Sequence, residues 1–426
     1  MKRTLRTGAD CPGMAAPARL IRKARRDTGM PVLYKNMNRR QFLALAAARP
    51  MDAGASLLMV TGAERTRIRE ILSRDASASR RVSSLALKFM KEGPWSVTHH
   101  RPDNPKAARN DYYSEAPYWW PDPKNPNGPF IRKDGERYPG RNSANRVAIG
   151  EMSEAVLALG MAAALLEDKR AAQRAATVLS VWFLDPKTRM NPHLEFGQAI
   201  RGHNEGRGAG IIETVSLIYC AQGIMLLEAA GGMDSSMLAD LRRWYADYLR
   251  WMTTSKKGMD EMNATNNHAT WWTAQAAAFS VFAGNEEVQR LAWDRYRNHL
   301  VPTQVQPDGS CPREEARTRS LSYSAMNLDG FSVLCRIAQL RGMDLWRFKT
   351  PKGIGIEKSF YYLLPYVLEP NNWRKPQITG FDQDRVVYPG LAGLGLGSKE
   401  LLAAYRRLPR AEAPWVNLVS LLVQAA

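Results

Sequence analysis

From about residue 64 to the end of the chain, apolar positions recur at helical spacing. Met152, Val156, Leu159, Ala163 and Leu166 step by four and three, which draws one stripe along a single helix. Residues 210–231 form a more uniformly apolar stretch. Residues 236–254 place Leu241, Trp244, Tyr248 and Trp251 on one face. The same reading predicts helices over 268–283, 285–299, 323–341, 357–368 and 412–425. Alternating strand patterns and Gly-rich hairpins are scarce. No short consensus repeats. The expectation is an all-α chain of paired helices joined by short loops, a helical toroid or solenoid.

One stretch breaks the helical pattern. Residues 99–145 carry eight prolines and the block Tyr112-Tyr113-Ser114-Glu115-Ala116-Pro117-Tyr118-Trp119-Trp120-Pro121-Asp122-Pro123. A loop this long inside a compact domain is a functional element or a disordered one. Five aromatics within nine residues favour order. Flat aromatic faces suit the apolar faces of sugar rings. Trp119 and Trp120 serve equally well as staples holding the loop onto the helices.

Composition adds a sign. The 45% hydrophobic content supplies a core, and the net charge is +19. Such an excess points to polyanionic partners: nucleic acid, an anionic membrane or an acidic polysaccharide. Residues 1–36 hold nine Lys or Arg against two Asp, which leaves only +12 for the other 390 residues. No zinc-finger, RNP-type or basic-zipper pattern is present, so nucleic acid is not expected. No apolar run of 18 or more is seen, so no membrane span is expected. Cys11, Cys220, Cys311 and Cys335 have no metal-ligand spacing and read as free thiols. Met37-Asn38-Arg39-Arg40-Gln41-Phe42-Leu43, followed by Ala44-Leu45-Ala46-Ala47-Ala48, resembles a twin-arginine export signal, although Arg49-Pro50-Met51-Asp52 interrupts the apolar run. The expected organisation is a non-native or disordered extension over 1–36, a signal segment over 37–63, and one domain over 64–426. The expected location is periplasmic or secreted.

Two further clusters carry candidate chemistry. Asn266-Asn267-His268-Ala269-Thr270-Trp271-Trp272 enters a predicted helix, where either Asn serves as N-cap. A helix N-terminus also attracts anions, so an amide and an imidazole there suit a carboxylate. His268, Trp272 and Gln275 share one helical face. The second cluster runs from Pro307-Asp308-Gly309 through Arg317-Thr318-Arg319 to Tyr323. It reads either as a surface turn with solvated arginines or as a guanidinium and a phenol brought together.

In this order the clusters resemble the alginate lyase superfamily of polysaccharide lyases, which includes alginate- and glucuronan-type uronate lyases. The resemblance rests on Asp111-Tyr112-Tyr113-Ser114, Tyr118-Trp119-Trp120-Pro121-Asp122-Pro123, Gly128-Pro129-Phe130-Ile131-Arg132-Lys133-Asp134-Gly135, and Asn191-Pro192-His193-Leu194-Glu195-Phe196-Gly197-Gln198-Ala199-Ile200. It continues in Gly206-Arg207-Gly208-Ala209-Gly210, Asn266-Asn267-His268 and the Arg317–Tyr323 segment. Cys311 and Arg313-Glu314-Glu315 depart from the usual pattern, which bears on substrate preference. The resemblance implies an incomplete α/α toroid with an axial cleft. It implies Asn267, His268, Arg317 and Tyr323 as catalytic residues, with Arg319 as a rival to Arg317. Gln198, Arg207 and Asn266 are the implied substrate contacts, beside the aromatic candidates Tyr112, Tyr113, Tyr118, Trp119, Trp120 and Trp272. No metal or cofactor is expected, and the partner is an acidic polysaccharide.

These groups suit β-elimination on a uronate. Loss of the C5 proton loads charge onto the carboxylate, and hydrogen-bond donors quench it. Tyr323 serves as both base and acid if proton and leaving oxygen share a sugar face; His268 is the base if they do not. A nearby arginine is expected to depress the Tyr323 pKa. A glycoside hydrolase on a similar toroid is the rival enzyme, with Glu314, Glu315, Asp308, Asp122 and Glu213 as available carboxylates. A non-catalytic carbohydrate-binding protein is the rival of another class.

Overall fold

The computed structural model describes residues 57–426, apart from 101 and 103. The fold is 61% helix against 5% strand, an all-α incomplete α/α toroid. Short polar residues set many helix starts. Thr61 caps α1 (Gly62–Arg74) in a reciprocal capping box with Glu64. Asp75 caps α2 (Ala76–Lys91). After the aromatic loop comes α3 (Ala144–Leu165), and Asp168 caps α4 (Lys169–Leu179). Next are α5 (Leu217–Ala229), α6 (Ser235–Thr254) and α7 (Lys256–Met262). Asn266 caps α8 (Asn267–Ala283), and Asn285 caps α9 (Glu286–Arg295). The short α10 (Val301–Gln304) and α11 (Pro312–Glu315) lead into α12 (Ser320–Gln339). The body closes with α13 (Ile356–Leu368), α14 (Tyr388–Leu396), α15 (Lys399–Arg407) and α16 (Pro414–Gln424).

Helices pack both on their successors and on helices further along the chain: α3 on α4 and α5, α8 on α9 and α12, α14 on α15. The centre is α3 against α5. Both are apolar nearly all round, the pattern of helices buried on every side. By length and composition Ala144–Leu165 and Gly208–Ala229 are apolar enough to cross a membrane, but 78% and 72% of their apolar windows are buried inside this body. Their crossing depends on two glycines. A Cβ on Gly160 would sit 2.5 Å from the Gly223 carbonyl oxygen, and one on Gly223 would sit 2.6 Å from that of Val156. Gly160→Ala is therefore expected to destabilise the protein by about 1–3 kcal/mol through overpacking. A clear fall in melting temperature, with the helical circular-dichroism spectrum retained, checks it.

Most predicted helices are present within two or three residues of their expected ends. The stretch 210–231 differs. Gly208–Thr214 is a tight 3-10 segment packed against a strand, and the α-helix starts only at Leu217. The long loop is ordered by four short strands: β1 (Tyr113–Glu115), β2 (Trp119–Trp120), β3 (Ile131–Arg132) and β4 (Phe196–Ala199). β1 runs parallel to β4, with Tyr113 opposite Phe196, and β2 pairs antiparallel with β3. The folded body also reaches further back than residue 64. Leu57, Leu58, Met59 and Val60 are core residues, held where Arg336 donates to the Met59 carbonyl at 3.1 Å. This apolar run continues the small-residue stretch before it, so sequence alone gave no boundary between them. The Arg39-Arg40 motif, the 1–36 extension and Cys11 lie outside the described residues. Cys220, Cys311 and Cys335 are buried free thiols.

Candidate active site

A cleft of about 460 Å³ opens between the aromatic loop, the N-terminus of α8, the start of α12 and the segment Phe381–Val386. Its wall carries eight arginines: Arg132, Arg137, Arg141, Arg146, Arg207, Arg317, Arg319 and Arg385. Only Glu213, Asp329 and Asp382 oppose them there. Two of these carboxyls already hold hydrogen bonds. Glu213 accepts from the Tyr112 hydroxyl at 2.8 Å and the Ser114 hydroxyl at 2.5 Å. Asp329 accepts the backbone N–H groups of Val387 and Tyr388, and burial still pushes it up to about 7.

Asn267 and His268 line this cleft as the first two residues of α8. Asn266, the N-cap, lines it too, and its side-chain oxygen accepts from the His268 amide. Two buried glutamates fix the pair. Glu314 accepts the Asn267 backbone N–H at 2.5 Å and its side-chain Nδ2 at 2.7 Å. Burial raises the Glu314 pKa against these two donors. The Asn267 Oδ1 has no partner among the described residues. Glu261, 4% exposed, lies 2.5 Å from His268 Nδ1. An ionised Glu261 makes Nδ1 the protonated nitrogen and leaves the Nε2 lone pair for chemistry.

Tyr323 also lines the cleft. Its hydroxyl lies 2.6 Å from that of Tyr118, which reaches over from the aromatic loop. The Arg317 guanidinium sits 3.9 Å over the Tyr323 ring and is clamped by Asp134, with Nε to Oδ2 at 3.1 Å and Nη2 to Oδ1 at 2.8 Å. Burial works against the charge of both partners, but the pairing prevails: Asp134 is held well below the usual carboxylate range and Arg317 is raised. Gly135, at φ 81°, makes the turn that brings Asp134 in, and a Cβ there would strike the Thr318 Oγ1 at 2.3 Å. Arg319 lines the cleft with a buried Nε that has no partner among the described residues.

The expected depression of the Tyr323 pKa is not what the site shows. Burial raises the phenol well above its ordinary value, Tyr118 raises it further, and the lowering by Arg317 is outweighed. The phenol rests protonated. Loss of the Tyr118 hydroxyl removes a raising contribution, so Tyr118→Phe is expected to move the pH–rate limb belonging to Tyr323 to lower pH. An unmoved limb in the pH profile of kcat/KM would break that assignment.

Other candidates divide. Gln198 and Arg207 line the cleft, joined by Arg207 Nη2 to Gln198 Oε1 at 2.6 Å. Gln198 has φ 51°, an unusual conformation for a non-glycine residue, held by its N–H donating to the Ser114 hydroxyl at 2.8 Å. Trp119 and Tyr118 line the cleft. Tyr112 and Tyr113 do not. Both are buried, and Tyr113 turns its hydroxyl to Glu115. Trp120 is a staple outside the cleft lining, 5.2 Å from the Tyr138 ring and with Nε1 on the Glu136 carbonyl. Trp272 is fully buried in the core, with the Arg295 guanidinium 5.7 Å from its ring. Helical spacing put it on the His268 face, but that face turns into the protein one turn along.

The alginate lyase family model matches residues 96–373. The chain belongs to the alginate lyase family. This alginate lyase family member is 31% identical to an alginate lyase from Bacteroides ovatus, with a TM-score of 0.78 over 84% of this chain and 96% of that one. Alginate lyase A1-III from Sphingomonas species A1 shares the fold at 16% identity and TM-score 0.54, over 84% and 92%. A histidine-to-alanine variant of A1-III, solved with a tetrasaccharide, gives 16% and 0.55 over the same shares. No curated protein matches. Membership makes the protein a polysaccharide lyase, with an acidic polysaccharide as its substrate class.

Within this lyase, sequence reading named Arg132 and Asp134 only inside a motif of the resemblance and did not single out Glu261 or the arginines 137, 141, 146 and 385. Glu314 was visible as a possible hydrolase carboxylate and as part of a departure from the family pattern. The signal for several of these was present in the basic run between Arg132 and Arg146 and in the Asp134-Gly135 turn. Nothing local ties Glu261 to His268; they sit seven residues apart across the break between α7 and α8.

Proposed function

We propose that this lyase cleaves 1,4-linked uronate polymers, alginate (polymannuronate) or glucuronan, by β-elimination and leaves a 4,5-unsaturated uronate end. The observation that carries this is the meeting of Asn267, His268, Arg317 and Tyr323 around one arginine-walled cleft. The alginate lyase activity of the Bacteroides ovatus relative supports the substrate class. In this reading the sugar carboxylate sits at the α8 N-terminus, where Asn267 donates to it, with Arg319 and Arg207 supplying charge. The C5–H bond breaks, the C4=C5 bond forms, and the C4–O bond breaks as its oxygen takes a proton.

On mannuronate and glucuronate the C5 proton and C4 oxygen share a face, and Tyr323 serves both. Entry of the sugar displaces the Tyr118 hydroxyl, which leaves Arg317 as the neighbour that favours the phenolate. On guluronate the two groups lie on opposite faces. There His268 Nε2, held by Glu261 on the other nitrogen, takes the proton, and Tyr323 is the acid. A hydrolase would need two free carboxyls flanking the bond. In this cleft Glu213 and Asp329 are committed to hydroxyl and amide donors. The Arg39-Arg40 signal supports export, where such polymers are met.

The test is a panel of polymannuronate, polyguluronate, glucuronan and a neutral glucan, followed by ultraviolet absorbance of the conjugated double bond. Absorbance is expected to grow with a uronate polymer and not with the glucan. Silence on every uronate polymer overturns the reading.

A further inference from the structure

A second basic groove, of about 660 Å³, lies between α2 and the C-terminal segment that runs into α16. Ser77, Arg81, Ser84 and Lys88 follow helical spacing and put one face of α2 into it. Arg80 and Arg410 add two more cations, and Glu412 is the single acid in its lining. These cations are exposed and weakly engaged. Arg81 donates to the Ser77 hydroxyl at 2.8 Å, Lys88 is 4.0 Å from Glu92, and Arg410 lies 5.4 Å over the Tyr405 ring. The Asn417 side chain lies in the same wall. Cations interleaved with hydroxyls and amides match an anionic sugar, where guanidinium meets carboxylate and the neutral groups meet ring hydroxyls.

The groove shares a wall with the cleft. Phe381, Asp382, Arg385 and Val386 line the cleft, and between them the Asp384 carbonyl accepts from the Ala411 N–H at 3.0 Å. Ala411 lines the groove. Glu154 feels both Arg385 on the cleft side and Lys88 on the groove side. We infer that the groove formed by Arg80, Arg81, Lys88 and Arg410 is a distal subsite that holds a remote anionic stretch of the same uronate chain whose reacting residue occupies the cleft. This rests on the uronate-polymer reading. A long chain then engages two regions at once, so its second contact is intramolecular and strengthens binding without touching the chemistry. A short oligomer engages the cleft alone.

The experiment compares initial rates on a long polyuronate and on its purified tetrasaccharide, using full-length wild type, R81E/R410E and R81K/R410K. For R81E/R410E, KM for the polymer is expected to rise about tenfold with kcat unchanged, while both constants for the tetrasaccharide stay at wild-type values. R81K/R410K is expected to keep most of the wild-type polymer KM. An unchanged polymer KM in R81E/R410E overturns the inference, as does an equal loss on both substrates. Tetrasaccharide turnover reports that the variant is folded. A wild type inactive on every polyuronate would instead overturn the reading of the cleft itself.

Discussion

Tyr323→Phe is expected to lower kcat by roughly a thousandfold or more, because general acid–base catalysis contributes about 10²–10⁴ and, in the proposed mechanism, one phenol carries both ends of the proton transfer on mannuronate. The substitution removes a single oxygen. The ring stays beneath the Arg317 guanidinium, whose position is set by Asp134 and not by the phenol. Polymer binding should remain within a few-fold of wild type, since the arginines that line the cleft are untouched. Isothermal titration with polymer, beside single-turnover absorbance, separates the two effects. Near-normal turnover would remove Tyr323 from the proton path. On polyguluronate the same variant loses the acid but keeps the proposed base, His268.

The second large effect is at Asn267. In the proposed mechanism Asn267→Ala removes an N–H that would meet the sugar carboxylate as charge accumulates there, an expected loss of about 10²–10³ in kcat by analogy with a single oxyanion donor. The fall should appear in kcat more than in KM, because the donor matters most when the carboxylate carries enediolate charge. A structural cost accompanies it. Glu314 is 1% exposed and takes its side-chain hydrogen bond from Asn267 at 2.7 Å, so the variant leaves a buried acceptor short of a donor, about 1–3 kcal/mol. Thermal melts and steady-state kinetics together distinguish the catalytic loss from the structural one. An unchanged kcat in a stable variant would place carboxylate quenching elsewhere, on Arg319 or Arg207.

Much of this arrangement was legible in sequence because helix periodicity and capping are local. An Asn cap at 266 or 267, α8 to Ala283 and the core faces of α3 and α6 follow from spacing and residue type; the structure makes Asn266 the cap. The aromatic loop was legible as ordered but not in its division of labour. Tyr112 and Tyr118 have similar surroundings in sequence, yet one is sealed against Glu213 and the other meets Tyr323. That choice is made by the β1–β4 pairing, in which Tyr113 meets Phe196, 83 residues on, and which no local pattern reports. Trp272 illustrates the limit of face arguments: i and i+4 share a helical face, but the cleft is only one turn deep at the α8 N-terminus. The Tyr323 pKa failed for another reason. A nearby arginine was countable in sequence, whereas burial and the Tyr118 hydroxyl, which dominate, belong to the tertiary structure.

The central chemistry can be read from product stoichiometry. Wild-type enzyme is incubated with polymannuronate, and new conjugated double bonds and new reducing ends are counted in the same samples over time. Elimination predicts one double bond for every reducing end throughout the reaction. Reducing ends that accumulate without ultraviolet absorbance would mean that water, and not the C5 carbanion, breaks the glycosidic bond.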